Sequence, residues 1–192
     1  LAQVKPDSGP EYLQRIESEA ERLEELIAQL LSTQAENTVL DAHIDLVQLL
    51  TQLCADANFE GQVDGKQFIF TSNMEEAIVD SSADLLRKCF ENILRNALHH
   101  TAFNSQVTVS LASTLDGYHV FIEDQGPGVP DDVLENIFGE FFRVDTARSR
   151  DSGGYGLGLA IARRALGQHG GHVAAENTGT GLKITVHLPT SS

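Results

Sequence analysis

The stretch "DSGGYGLGLAIARR", Asp151–Arg164, puts four glycines within six positions directly before an apolar, helix-forming run. A glycine-rich entry leaves the first backbone N–H groups of a helix exposed and without intrahelical acceptors. Together with the helix dipole, these groups make a site for anions such as phosphate. The same residues also read as a mobile surface loop with a Gly-tolerant turn. The rest of the chain has to separate the two readings.

Working outward, the run predicts a helix over 156–169, then two strands near 172–176 and 182–188 beside Gly179 and Gly181. A polar, Arg-rich stretch (143–152) precedes it. Further upstream, apolar residues alternate: Val107, Val109, Leu111, then Tyr118, Val120, Ile122. This predicts strands over 106–112 and 117–124, with Asp116-Gly117 as the hairpin signal. A long helix is expected over 82–100 and an amphipathic one over 44–60, carrying Leu46, Leu49, Leu50, Leu53 and Cys54. Between them fall a turn at Asp64-Gly65, a strand over 67–71 and a short strand at Ile78-Val79. Strands mixed with helices, several joined as hairpins, indicate an α/β sandwich with a mixed, largely antiparallel sheet packed on helices.

At the N-terminal end, Leu13, Ile16, Ala20, Leu23, Ile27 and Leu30 are spaced alternately by three and four, a heptad seam. A helix this short needs a partner to bury the seam, so a bundle or a dimer is expected, with packing on the chain's own domain as the alternative. The expected organisation is a helical segment over 1–36, a linker over 37–43 and a globular domain over 44–192.

Thirteen Lys and Arg against 28 Asp and Glu give a formal charge of −15 over 192 residues. Nonspecific nucleic-acid binding relies on cationic side chains neutralising phosphates, and an anionic membrane surface makes the same demand. Neither is expected as a direct partner. Cys54 and Cys89 lie in apolar helical patterns with no CxxC pair, which reads as reduced core thiols in a cytosolic compartment rather than a zinc site or disulfide. No apolar run reaches membrane-spanning length and no stretch reads as a signal peptide, so any membrane segment is expected upstream of Leu1.

Two further segments can carry chemistry. In "CFENILRNALHHT" (Cys89–Thr101), Phe90, Ile93, Leu94 and Ala97 form the buried side. Asn92 and Asn96 share another face, which His99 and His100 continue. Amide oxygens are hard neutral ligands suited to Mg²⁺, which uses few protein ligands when it bridges phosphates; the face also reads as a solvated polar surface ending in helix-terminal histidines. In "FIEDQGPGVP" (Phe121–Pro130), alternation puts Asp124 on the side of Val120 and Ile122 at the strand end. A carboxylate there can accept from an exocyclic amine such as that of adenine. Gly126 and Gly128 let backbone and ligand approach closely. A strand-to-turn exit capped by Asp fits equally well. There is no GxxxxGK[ST] loop, and no strand leads into residues 153–158 as a Rossmann G-x-G-x-x-G requires.

The order of these parts resembles the ATP-binding domain of sensor histidine kinases, in the wider family shared with gyrase, the Hsp90 chaperones and MutL. "FENILRNALHHT" resembles the N box, "DQGPGVP" the first glycine box, "IFGEFFRVD" the F box, "GGYGLGLA" the second glycine box and "GTGLKITVHLP" the closing turn and strand. "YLQRIESEAERLEELIAQLL" resembles the second dimerisation helix of these kinases.

The resemblance implies a Bergerat-type fold that binds ATP with Mg²⁺. Asn96 would hold the ion with Asn92 beside it, and Asp124 would read the adenine amine next to Gly126 and Gly128. Residues 143–155 would form a lid, with Arg143 and Arg148 as charge partners of the phosphates. Gly154, Tyr155, Gly156, Leu157 and Gly158 would line the phosphate cradle. His99 and His100 stand where the family often has a basic residue and Tyr, and Tyr155 replaces the usual Thr or Ser. Asn92 occupies the place of a water-activating Glu in the ATPase relatives. An Asn cannot act as general base, which favours phosphoryl transfer to a protein over hydrolysis.

The implied partners are a response-regulator receiver domain and a second copy of the chain. None of the seven histidines has the H-box context of a phosphoacceptor, so that His is expected on a preceding helix, in the cytoplasmic part of a bacterial inner-membrane protein. A nucleotide-driven ATPase clamp and a non-catalytic module with a vestigial site are the competing expectations.

Overall fold

Asp45 marks where the described fold begins to lock together. Its Oδ1 accepts from the Val47 N–H at 3.0 Å and from the Ala77 N–H at 3.0 Å, so one carboxylate caps a helix and ties it to a distant strand. The computed structural model describes residues 42–144 and 156–190, which belong to one compact unit, Val39–Ser192. The elements are β1 (Ala42–Asp45), α1 (Leu46–Gly61), β2 (Gln67–Ser72), β3 (Ile78–Ser81), α2 (Ala83–His100), β4 (Gln106–Thr114), β5 (Gly117–Glu123), α3 (Gly158–Gln168), β6 (His172–Asn177) and β7 (Leu182–Leu188).

Five strands form the main sheet in the order β2-β4-β5-β7-β6. Only the β2–β4 pair is parallel. The β4–β5, β5–β7 and β6–β7 pairs are antiparallel, and β1 and β3 make a separate antiparallel ribbon. The helices cover one face of the main sheet. Val107, Val109, Val120, Ile122, Ile184 and Val186 point into the same core as Leu46 and Leu50 of α1, Leu86, Phe90 and Ile93 of α2, and Ala162 and Leu166 of α3. Period-two burial in the strands meets three-to-four spacing in the helices, so a layered α/β arrangement is the economical way to hide both. Phe90 has no exposed surface, and truncating so large a core side chain costs about 3–5 kcal/mol. The other face of the sheet carries His119, Phe121, Lys183 and Thr185, which alternate with the core residues.

Three local expectations shift. The helix expected over 44–60 begins at Leu46, because Ile44 and Asp45 pair with Val79 and Ile78; Ala42 and His43, read as linker, pair with Ser81 and Asp80. The hairpin loop is Leu115-Asp116 rather than Asp116-Gly117, since Thr114 pairs directly with Gly117. Gly117 is needed for a different reason: its φ is 144° and a Cβ there would overlap the Leu188 carbonyl oxygen. The glycine-rich helix starts at Gly158, two residues later than expected, because Gly156 adopts φ 75°, outside the helical region. The heptad segment lies outside the described residues.

Cys54 and Cys89 are free and buried, as their apolar settings predict. Burial pushes the Cys54 thiol up to about 12 and raises Cys89 as well, so both are protonated and unreactive.

Candidate functional site

The polar face of α2 is built by four-residue spacing, which stacks Asn92, Asn96 and His100 one turn above another. The helix keeps this register because Leu86, Phe90, Ile93, Leu94 and Ala97 fix its other side in the core. Asn92 Nδ2 donates to the Lys88 carbonyl at 2.7 Å, which leaves Oδ1 facing the start of α3. A Cβ added to Gly158 would stand 3.0 Å from that oxygen, so glycine lets the α3 N-terminus come against α2. One turn on, the half-exposed Asn96 side chain makes no hydrogen bond to any described residue. At the end of the helix, the His100 carbonyl lies so close to Gly126 that a Cβ there would be 2.5 Å from it. Eight residues at 1.5 Å each separate Asn92 from His100, so this face spans about 12 Å between two glycine-lined regions.

Asp124 occupies one end. It follows β5 directly and is 4% exposed. Its Oδ1 accepts from the Gly126 N–H at 2.8 Å and from the Leu182 N–H at 3.2 Å, while its own N–H donates to the Leu182 carbonyl at 3.0 Å. Among the described residues Oδ2 takes no hydrogen bond, so it retains acceptor capacity. Desolvation raises the Asp124 pKa, offset by the two backbone donors and reinforced by neighbouring Glu123. This is a carboxylate held in place by the backbone and ready to gain from a donor.

The other end is the α3 N-terminus. Gly158, Leu159 and Ala160 open the helix, where geometry leaves N–H groups without intrahelical acceptors, and no acidic side chain sits in the first turn to occupy them. The buried Leu157 precedes them, and its carbonyl accepts from the Ile161 N–H at 2.9 Å. Gly156 packs on the F-box segment: a Cβ there would lie 2.5 Å from the Phe142 carbonyl oxygen. The two described flanks of the 143–155 segment therefore meet.

Arg143 is exposed and near enough to His100 to act on its charge. Desolvation first, then the positive fields of His99, Arg143 and Lys66, push the His100 pKa down to about 4, although part of the residue meets solvent. At pH 7 its imidazole is neutral. The rings of His99 and His100 stand edge to face, 4.9 Å apart.

The fold thus brings Asn92 and Gly158 together, and Asp124, Gly126 and the end of α2 together, with Asn96 between. Gly128, at φ 66°, belongs to the loop leaving Asp124. Arg148, Gly154 and Tyr155 lie outside the described residues.

Four supporting residues, two of them inside the quoted boxes, received no role of their own from the sequence. Thr101 is 4% exposed; its Oγ1 accepts from the Gln125 N–H at 3.1 Å and joins Ser105 at 2.8 Å, pinning the residue after Asp124. Asn177 clamps the glycine loop, accepting from the Val129 N–H at 3.1 Å and donating to the Val129 carbonyl and Asp131 Oδ1, each at 2.7 Å. A Cβ on Gly181 would overlap the Asp124 carbonyl oxygen. Lys66, 7% exposed, donates to the Leu98 carbonyl at 2.9 Å and so satisfies the last turn of α2. Only Gly181 carried a signal, the glycine turn before β7; the others are common polar residues whose partners lie far away in sequence.

The model of the histidine kinase-, DNA gyrase B- and HSP90-like ATPase family matches residues 81–192, which hold α2, Asp124, both glycine boxes and the last two strands. The chain belongs to this ATPase family. Within it, "RIESEAERLEELIAQLL" and "RVDTARSRDSGGYGLGLAI" resemble the CpxA type of sensor kinase. In agreement, the chain is 37% identical to the sensor histidine kinase CpxA of Escherichia coli K12 over 181 residues, 92% of this chain and 39% of that protein. The chain thus spans about two-fifths of the length of this relative. Among solved structures, the mycobacterial sensor histidine kinase MprB is similar at a TM-score of 0.67 and 24% identity, covering 78% of this chain and 97% of that one. The histidine kinase ThkA, solved in complex with the response regulator protein TrrA, is similar at a TM-score of 0.79 and 22% identity, over 98% of this chain and 53% of that one. The five-stranded, mostly antiparallel sheet packed on helices is the fold of these ATPase-family catalytic domains, and the segment matched by the family is a nucleotide-binding domain.

Proposed function

We propose that this chain is the ATP-binding catalytic part of a two-component sensor histidine kinase. It would pass the γ-phosphoryl of Mg·ATP to a His on a dimerisation helix, for relay to an Asp of a response regulator. The observation that carries the reading is the single α2 face, with Asn96, bonded to no described residue, lying between a desolvated carboxylate and a glycine-opened helix N-terminus. The family match and the likeness to CpxA support the class of reaction.

Adenine presents a donor at its amine where guanine presents an acceptor, so Asp124 Oδ2 would select ATP over GTP. Neutral His100 would serve as an aromatic wall for the base rather than as a phosphate cation. The α3 N-terminus would take the phosphates, with Arg143 and Arg148 closing over them and Gly154, Tyr155 and Gly156 in the cradle.

Mg²⁺ fits the donors present: the Asn96 amide bonds to no described residue, and Asn92 Oδ1 is turned towards the start of α3 while its amide nitrogen bonds to Lys88. When bound, the ion would neutralise charge developing on the transferring phosphoryl group. Without a base at position 92, catalysis rests on positioning and charge neutralisation. In the intact protein this part would lie on the cytoplasmic side of a membrane-anchored homodimer; among the described residues no helix is long and apolar enough to cross a membrane.

The test is to incubate the chain with γ-labelled ATP and Mg²⁺, alone and with a separately made dimerisation hairpin of a CpxA-type kinase. Acid-labile label should appear on the hairpin and not on the chain. Label on the chain itself, or fast phosphate release without transfer, contradicts the proposal; the latter outcome supports a nucleotide-driven ATPase clamp.

A further inference from the structure

At the far end of β5 from Asp124, on the open face of the sheet, three histidines stand in one cross-strand row. His119 of β5 is in register with His187 of β7, which is in register with His172 of β6. The His119 and His187 ring centroids are 4.9 Å apart, and those of His172 and His187 are 4.6 Å apart. The Leu115-Asp116 loop folds over this row. His119 Nε2 lies 3.5 Å from Asp116 Oδ1, and His187 Nε2 lies 3.5 Å from Asp116 Oδ2. One ligand atom from each of Asp116, His119 and His187 can be chosen so that all lie within 4.8 Å of one another, and among the described residues this is the one such group of three.

From this geometry we infer that Asp116, His119 and His187 form a binding site for a borderline divalent transition ion of the Zn²⁺ class. Two imidazoles and a carboxylate are the donors such ions take, and tetrahedral bonds of about 2.0 Å put ligand atoms about 3.3 Å apart. The two His–Asp separations, each 3.5 Å, are already close to that, and the third lies within 4.8 Å.

The site is built beforehand. Gly117 presses the loop against the Leu188 carbonyl, so Asp116 is held next to the end of β7. The Thr114 hydroxyl donates to Asp116 Oδ1, and His187 Nε2 donates to the Asp116 carbonyl at 3.1 Å, a bond that an ion at Nε2 would replace. His187 is 7% exposed: Nε2 is the ring atom turned to Asp116, and Nδ1 is buried with no partner among the described residues. His172, exposed, covers the His187 ring from the other side. Five residues of β5 at about 3.3 Å each put this cluster about 17 Å from Asp124 and on the opposite face, so it does not belong to the nucleotide site. Its occupation would fasten the β4–β5 hairpin to the end of β7.

The experiment titrates the 192-residue chain with Zn²⁺ by calorimetry and with Co²⁺ by visible absorption. One saturable site is expected, with d–d bands of a low-coordinate nitrogen–oxygen environment and a melting temperature that rises with metal concentration. Asp116→Asn and His119→Gln should each weaken binding at least tenfold, while His43→Gln, at the remote His43–Asp80 pair, should leave it unchanged. His187→Gln should do the same as the first two but risks the fold; Asp116 and His119 are exposed enough to keep the test readable, with circular dichroism as the check. Absence of saturable binding, or unchanged affinity in both Asp116→Asn and His119→Gln, overturns the inference. The result is independent of nucleotide binding.

Discussion

Asp124, after β5 and near the C-terminal end of α2, and Asn96, one turn back along α2, are held in opposite ways. Asp124 is buried, fixed through one oxygen by two backbone N–H groups, and its loop is clamped by Thr101 and Asn177. Asn96 is half exposed and bonded to no described residue. If the proposed site is right, its base end is finished before any ligand arrives, while its phosphate end presents groups that only water serves until a ligand binds. Rigid hydrogen-bonded groups give specificity because a mismatched ligand leaves them unpaired. Unpaired polar groups at a surface cost little when empty, since water serves them, and are free to gather round an ion and phosphates.

This contrast can be broken most severely at Gly181. Gly181→Ala forces a methyl into the Asp124 carbonyl, and we expect a loss of about 3 kcal/mol in urea unfolding together with loss of nucleotide binding. Near-native stability would mean that the base end is softer than described.

Asp124→Asn keeps an oxygen for the Gly126 and Leu182 N–H groups but removes the charge. Affinity for ATP should fall about 10- to 100-fold, the worth of a charged hydrogen bond, with unfolding changed by less than about 1 kcal/mol. Unchanged affinity in calorimetry would remove Asp124 from the site. The phosphate end should respond differently. Asn96→Ala should abolish the gain in affinity that Mg²⁺ gives, about tenfold, while leaving binding without Mg²⁺ and the stability as they are; a loss equal in both conditions would deny Asn96 its role.

The smallest effect concerns His100. Its folded pKa is depressed to about 4, so as pH falls from 6.5 towards 4 the unfolded chain takes up a proton that the folded one refuses, and stability is lost over that window. His100→Phe should flatten this part of the stability–pH curve, and nucleotide affinity of the unaltered chain should be level between pH 8 and 6. An affinity that climbs as pH drops through 6.5 would make His100 a phosphate-binding cation instead of a wall.

The same division shows in what the sequence revealed. Asn92, Asn96, Asp124, Gly126 and Gly158 were legible because helical spacing, strand alternation and glycine runs are local patterns, and their order along the chain matched a family. Residues whose work is done across the chain were not. Asn177 reaches Val129, 48 positions away, and nothing near it in the sequence tells it from an ordinary turn residue. The row of His119, His187 and His172 exists only through the register of three strands, which no local pattern states. The late start of α3 had a local cause, the positive φ of Gly156, but which glycine in a run of four adopts it depends on where Phe142 lies.

We propose that one face of α2 takes an adenine nucleotide at a preformed base site and completes its phosphate site with Mg²⁺. The direct measurement is a titration of the chain with a fluorescent ATP analogue, with and without Mg²⁺, followed by competition with ATP and GTP. One saturable site is expected, tighter with Mg²⁺, from which ATP but not GTP displaces the analogue. Absence of binding in the presence of Mg²⁺, or equal displacement by ATP and GTP, would contradict it.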